Sequence, residues 1–185
     1  LRGEARRSDP PPPPRMAALF DAPKIHTGSD PSIKWRPLQI GDYDRGYLRL
    51  LGQLTKAPEV PLKLWEETFQ KMRSSGLYFT VVAEDVSTGK IVACATLLAE
   101  HKFIRGCGLV GHVEDVVVDK VARGKSLGIK VIEHLKDVAR AIGCYKLILD
   151  CSQDNVKFYE RCGLKVKELQ MAVYFPENEG RRPKL

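Results

Sequence analysis

The stretch from Gly111 to Ile142 constrains this chain more than any other. It opens on a β-rich run, Gly111–Val118, that ends in the continuous apolar triplet Val116-Val117-Val118. Such a triplet is the pattern of a strand buried on both faces. A short polar link follows, and then Gly128, Val131, Ile132, Leu135, Val138, Ala139 and Ile142 recur at helical spacing. That apolar stripe must lie against a core, and Gly143 is placed to end it. A buried strand feeding an amphipathic helix predicts an α/β sandwich.

The flanking segments extend the pattern. Lys34–Leu38 reads as a first strand. Asp42, after the turn Gly41-Asp42, is suited to cap a helix running to about Leu54, with Tyr47, Leu50, Leu51 and Leu54 on one face. Pro61 fits the first position of a second helix, where Leu62, Trp65, Phe69 and Met72 share a face and Gly76 closes the end. Tyr78–Glu84 and Ile91–Glu100 flank Ser87-Thr88-Gly89, a hairpin signal. Tyr145–Leu149 predicts a short strand, Asp154–Arg161 a short helix and Leu164–Phe175 a final strand. The sheet is therefore expected to be mixed and mostly antiparallel, with helices flanking it.

Residues 32–176 are assigned to one domain, a size that supports a real core. Residues 1–31 are expected to be a tail, because Pro10 to Pro14 can form neither a helix nor a central strand. The chain begins at Leu1 and its first Met is Met16, so residues 1–15 are treated as upstream sequence and left out of the fold. A proline-rich ligand for an SH3-type partner is the alternative there. Residues 177–185 form a second polar tail.

Composition narrows the function classes. The apolar fraction of 43% and charged fraction of 29% are those of a globular protein. No apolar run approaches the roughly 20 residues of a membrane helix, so no span is expected. The five cysteines (Cys94, Cys107, Cys144, Cys151, Cys162) are odd in number and include no C-x-x-C pair. Neither a disulfide framework nor a metal site is expected from them. They read as small buried hydrophobes in a reducing compartment, and the expected location is cytoplasmic, with endomembrane association left open. The formal charge of +7 is scattered along the chain and lies partly in the tails. That suits an anionic small ligand better than nucleic acid, and no aromatic–basic recognition motif is present.

The main chemical signal is Arg123-Gly124-Lys125-Ser126-Leu127-Gly128, which joins the buried strand to the long helix. A helix start carries unpaired N–H groups and a positive dipole end, so an anion such as a pyrophosphate can dock there. Gly124 and Gly128 allow close backbone approach. The alternative is an ordinary helix start with permissive glycines. Neither the Walker pattern nor the dinucleotide fingerprint is satisfied.

This loop resembles the acyl-CoA pyrophosphate loop of the GCN5-related N-acetyltransferases, with Ser126 where Gly is usual. Five longer segments resemble one branch of that group, the glucosamine 6-phosphate N-acetyltransferases. They are Leu51-Gly52-Gln53-Leu54-Thr55, Glu100-His101-Lys102-Phe103-Ile104, Gly111 to Val118, Gly143 to Cys151 and Asn155 to Glu160. The likeness spans nearly all of Trp35 to Phe175.

The resemblance implies the GCN5-related N-acetyltransferase fold and acetyl transfer from acetyl-CoA to the 2-amino group of glucosamine 6-phosphate, on the way to UDP-N-acetylglucosamine. It implies a homodimer with the active site at the subunit interface. By resemblance, Arg123, Gly124, Lys125, Ser126, Leu127, Gly128 and Ile129 hold the pyrophosphate. Asn155 bonds the cofactor arm, and the backbone of Val116, Val117 and Val118 pairs with the pantetheine. Thr55, Lys102, Phe103, Ile104, Arg105, Glu114, Asp115, Val116, Tyr145, Lys146, Asp150 and Tyr174 make the sugar-phosphate site, with Tyr145, Lys146 and Asp150 candidates to serve the neighbouring subunit.

The residue types suit that chemistry. A sugar amine must lose a proton before it attacks a thioester, and Glu114 or Asp150 can accept it. A backbone N–H near Val116 is a candidate oxyanion donor, and Tyr159 a candidate donor to the leaving thiolate. Direct attack gives no cysteine a nucleophilic role. Bland roles stand beside these. In a regular strand one of Glu114 and Asp115 faces solvent only, Asp150 caps a helix, Tyr159 packs in a core and His112 is a structural histidine. Some relatives carry His at the position of Arg105 and Arg at that of Tyr174, so Arg105 with Lys102 is expected to supply the phosphate charge. The competing functions are acetylation of another amine and a non-catalytic acyl-CoA-binding module.

Overall fold

A computed structural model describes residues 16–21 and 30–175. They divide into two compact units, one ending at Leu149 and the other beginning at Asp150. The first unit is built on five strands: β1 (Ile33–Pro37), β2 (Tyr78–Asp85), β3 (Ile91–His101), β4 (Leu109–Val118) and β5 (Cys144–Ile148). They lie side by side in chain order. The first four are antiparallel and β5 runs parallel to β4. The mixed, mostly antiparallel sheet is the one the sequence predicts. A parallel neighbour needs a crossover, and the predicted long helix supplies it.

That helix is α4 (Leu127–Ala141). Its stripe of Leu127, Val131, Ile132, Leu135 and Val138 is fully buried, each side chain contributing about 1.5–3 kcal/mol of burial. α4 packs on β2, β3, β4 and β5, and His134 stacks on Trp35 of β1 with ring centroids 4.6 Å apart. Side chains alternate across a strand, so Val82, the neighbour of the residue paired with Trp35, points to the opposite face. There it joins Ile91, Cys94 and Val117 in a core completed by Tyr47 and Leu50 of α1 (Tyr47–Leu51) and by Trp65 and Phe69 of α2 (Leu62–Ser75). Gly111 sits in the middle of β4, where a Cβ would lie 2.5 Å from Leu147 Cδ2 and 2.6 Å from Leu97 Cδ1. The absent side chain is what lets the two leucines close over the strand.

Several expectations are corrected. The helix expected from Asp42 to about Leu54 is two pieces, a 3-10 turn at Ile40–Tyr43 and α1, separated by Gly46 in the left-handed region. Asp42 caps the 3-10 turn and not α1: it accepts from the Gln39 N–H, and Arg36 Nη1 and Nη2 each donate to its carboxylate at 2.7 Å. Pro61 stands at the N-cap of α2 rather than at its first turn. The tail expected through residue 31 includes packed chain. Ala18 bridges to Gln39, Leu19 is buried in the core, and Phe20 meets Phe79 edge to face. Six residues are enough for apolar side chains to find a core; the proline run itself lies outside the described residues, as do residues 177–185. Finally, Leu164–Phe175 contains no strand. Leu169 and Met171 are each 94% exposed. Apolar alternation makes a strand only where its N–H and C=O groups find a neighbour.

The second unit carries a 3-10 turn at Gln153–Asn155 and α5 (Val156–Arg161) in place of the single helix expected from Asp154.

Candidate active site

The start of α4 is built to be open. Gly124 has φ +87 with nothing within 4 Å of where a Cβ would stand. Ser126, the N-cap, is also left-handed at φ 57 and makes no side-chain cap hydrogen bond. The first-turn N–H groups of Leu127, Gly128 and Ile129 therefore receive no oxygen from the N-cap residue. Arg123, Gly124, Lys125 and Ser126 are exposed. Uncapped donors, the helix dipole and two cationic side chains together suit an anion. The approach to this loop is fixed from α1: Arg49 Nη2 donates to Asp119 at 3.0 Å, and Gln53 Oε1 accepts from the Lys120 N–H at 3.0 Å. Gln53 was part of a recognisable segment, but neither contact could be read from spacing, because Arg49 and Asp119 are 70 residues apart.

β4 supplies the next feature. Cys94 pairs with Val117 and Thr96 with Glu114, so Asp115 and Val116 together face the single residue Ala95. That is a β-bulge. Asp115 takes φ 51, which breaks the regular alternation, and both Glu114 and Asp115 are accessible. The expectation that one of the pair faces solvent alone rested on a regular strand, which the bulge removes. Although Asp115 is accessible as a residue, local desolvation pushes its carboxyl above the ordinary carboxylate value, which favours a proton acceptor.

The turn α3 (Ile104–Cys107) joins β3 to β4. Arg105, Gly106 and Cys107 all have positive φ, so the backbone coils left-handed and leaves Phe103, Ile104 and Arg105 exposed. Lys102 at its entrance is held: its Nζ lies 2.5 Å from Glu100 Oε1, and His112 Nε2 lies 2.8 Å from Glu100 Oε2. Lys102 and His112 together keep the Glu100 carboxyl below its usual value. This three-residue chain makes His112 a hydrogen-bonded histidine on Glu100. Glu100, which opens a family-like segment, was given no role of its own; its alternate placement two residues before Lys102 puts both side chains on one side of the strand. The exit of α3 is packed on β5, since a Cβ on Gly108 would stand 3.0 Å from the Tyr145 ring. Lys146 Nζ lies 6.0 Å from that ring's centroid. Thr55 is exposed after α1, its N–H donating to the Leu51 carbonyl.

In the second unit, Asp150 is exposed, and Asn155 Nδ2 donates to Ser152 Oγ at 3.2 Å. Tyr159 is half-buried and packs edge to face on Phe158. Burial, with the Cys151 and Cys162 thiols nearby, raises its phenol above the ordinary value. Tyr174 is 88% exposed. Among the described residues no group of three or more His, Cys, Asp or Glu could hold a metal ion, and no helix is long and apolar enough to cross a membrane.

Comparison with known proteins places this geometry. The sequence profile of the acetyltransferase (GNAT) family matches residues 46–164, from the Gly46 break to just past α5. A Dictyostelium discoideum protein named glucosamine 6-phosphate N-acetyltransferase 1 is 49% identical over 147 residues, 80% of this chain and 94% of that protein. An Arabidopsis thaliana protein named glucosamine 6-phosphate N-acetyltransferase is 46% identical over 145 residues, covering 78% and 97%. The crystal structure of the glucosamine-6-phosphate N-acetyltransferase from Arabidopsis thaliana superposes with a TM-score of 0.76, covering 77% of this chain and 98% of that one.

Proposed function

We propose the following reaction for this chain, which belongs to the acetyltransferase (GNAT) family: transfer of acetyl from acetyl-CoA to the 2-amino group of D-glucosamine 6-phosphate. The observation that carries the substrate is the 40–49% identity, over most of the chain, to proteins bearing that name. The amine nitrogen attacks the thioester carbonyl carbon, the C–S bond breaks, and the products are N-acetylglucosamine 6-phosphate and CoA thiol. The product suits a route to UDP-N-acetylglucosamine.

The residues divide the work as follows. Arg123 to Ile129 hold the pyrophosphate, supported by the uncapped start of α4. The Val116–Val118 backbone pairs with the pantetheine, and the Val116 N–H faces the developing oxyanion. Glu114 or Asp150 accepts the amine proton, a contribution of about 10²–10⁴-fold. Tyr159, a neutral phenol at working pH given its raised pKa, protonates the departing thiolate, and Asn155 bonds the cofactor arm. Lys102 and Arg105 read the phosphate, with Thr55, Phe103, Ile104, Asp115, Tyr145, Lys146 and Tyr174 around the sugar. The active unit is a homodimer. The exposed apolar side chains Leu169, Met171 and Val173 support that reading, because apolar surface of this kind favours a partner.

Thiol release from acetyl-CoA, measured with glucosamine 6-phosphate beside unphosphorylated glucosamine, tests the reaction. Turnover is expected only with the phosphate ester, and Arg105→Ala is expected to raise its KM about tenfold with kcat little changed. Equal turnover of both sugars, or an unmoved KM, overturns the phosphate-reading role.

A further inference from the structure

A buried polar cluster lies beneath the β4 bulge, and the reaction as written uses none of it. Tyr47 of α1, Thr80 of β2 and Cys94 and Thr96 of β3 are at most 5% exposed. Thr80 Oγ1 and Thr96 Oγ1 are 2.9 Å apart. The Tyr47 hydroxyl lies beside the side chains of Thr96 and Cys94. Cys94 Sγ then donates to the Asp115 carbonyl oxygen at 3.7 Å. Four polar side chains thus cluster in the core, and Cys94 ties the cluster to one backbone carbonyl. Burial pushes both the Tyr47 phenol and the Cys94 thiol upward, so both remain protonated donors.

Such a cluster is costly unless every member is satisfied, and apolar residues of the same volume would serve the core as well. Its end point says what it is for. Asp115 is left-handed, a conformation that costs a non-glycine residue roughly 1–2 kcal/mol and persists only where its surroundings fix it. The Asp115 carbonyl and the Val116 N–H belong to one peptide unit. That unit is planar and trans, so its C=O and N–H point in opposite directions. A carbonyl held inward by Cys94 therefore turns the Val116 N–H outward, away from the core.

We propose that Tyr47, Cys94 and Thr96 are positioning residues that aim the Val116 N–H by anchoring the carbonyl of the same peptide. The inference rests on the reading that this N–H meets the acyl oxygen. A donor misaimed by tens of degrees loses most of its hydrogen bond. Loss of one oxyanion donor costs about 10²–10³ in kcat, so a loosened one is expected to cost about tenfold.

The experiment uses the whole chain and the variants Cys94→Ala, Cys94→Ser and Tyr47→Phe. Cys94→Ala and Tyr47→Phe are expected to lower kcat about tenfold, with the KM for glucosamine 6-phosphate within about twofold of the parent. Cys94→Ser restores a donor and is expected to recover most of the rate, which a purely packing role would not give. The Val116 amide resonance should shift in the two deficient variants and return in Cys94→Ser. Both deficient variants keeping kcat within about twofold, with only thermal stability lowered, overturns the proposal. The ketone analogue S-acetonyl-CoA, compared with CoA on the parent protein, separates the two layers. A Val116 resonance indifferent to the ketone defeats the acyl-site reading; a responsive resonance beside unimpaired variants defeats the positioning role alone.

Discussion

Two helical starts in the first unit solve the same problem in opposite ways. At Gln39, the start of the 3-10 turn, the backbone N–H is taken by Asp42 Oδ2 at 2.8 Å. The same carboxylate is clamped by Arg36, whose Nε also donates to Glu84 at 2.7 Å, while Arg45 closes the circuit onto Glu84 at 2.6 Å. The charges are paired within the fold, with Arg36 and Asp42 buried and Arg45 at the rim. At Ser126 the first turn of α4 receives no side-chain cap, its cationic neighbours are exposed, and the backbone is left-handed at both Gly124 and Ser126. The first arrangement finds its partners within the fold; the second leaves its first turn without a side-chain cap. Local rules are broken where a protein works and kept where it only has to stand.

The contrast can be broken most forcefully at the closed end. Asp42→Ala leaves the buried guanidinium of Arg36 with Glu84 and the Pro37 carbonyl, and the expected loss is about 3 kcal/mol, read by urea unfolding. The folded fraction should keep its kcat/KM. A loss below about 1 kcal/mol would mean the circuit is not a stability device.

The open end gives a smaller effect with a sharper sign. Ser126→Asp adds an N-cap acceptor and a negative charge at the positive end of α4, so the variant should gain about 0.5 kcal/mol in stability. Yet it should raise the KM for acetyl-CoA by about tenfold, because the carboxylate takes the donors an anion needs. Stability and affinity moving in the same direction would place the pyrophosphate elsewhere.

The smallest effect is in pH. Burial alone would raise the Glu84 pKa, but Arg36 and Arg45 outweigh it and the net shift is downward. At Asp119 burial likewise opposes, and the Val121 N–H and Arg49 prevail. A folded pKa below the unfolded one gives stability that is present above the ordinary carboxylate range and lost as pH falls through it. The urea midpoint should therefore decline on acidification, and less steeply in Glu84→Gln. An identical slope in that variant would remove Glu84 from the account.

The same contrast explains what the sequence revealed. The stripe from Val131 to Val138, the hairpin around Gly89 and the loop before α4 are local patterns, and each appears where its spacing places it. Asp42 carries a cap signal and does close a cap, on Gln39, but its partner Arg36 stands six residues earlier in a strand, and only the tertiary fold shows that one carboxylate serves both. The bulge at Asp115 depends on register against β3, and the strand sequence Glu114 to Val118 shows no sign of it. Leu19 and the 164–175 segment mislead in opposite senses: a short apolar piece near a proline run finds a core, and a longer alternating one stays exposed. Among the proposed site residues, the glycine-bearing loop is suggested by helix physics alone. Lys102, Arg105 and Tyr145 needed the family likeness, because an exposed cation or ring has no periodic signature.

Gly111 bears on how this sheet can change over generations. Leu97 and Leu147 meet across the space that its missing Cβ leaves, so strands on either side of β4 share one gap. An enlargement at 111 alone meets both leucines at once, and a reduction at either leucine alone opens a hole in the sheet. The three positions are therefore joined as one inherited unit. Drift there must pass through a less stable intermediate, and the strand that carries Glu114 and Asp115 is shielded from gradual wandering by a residue with no side chain.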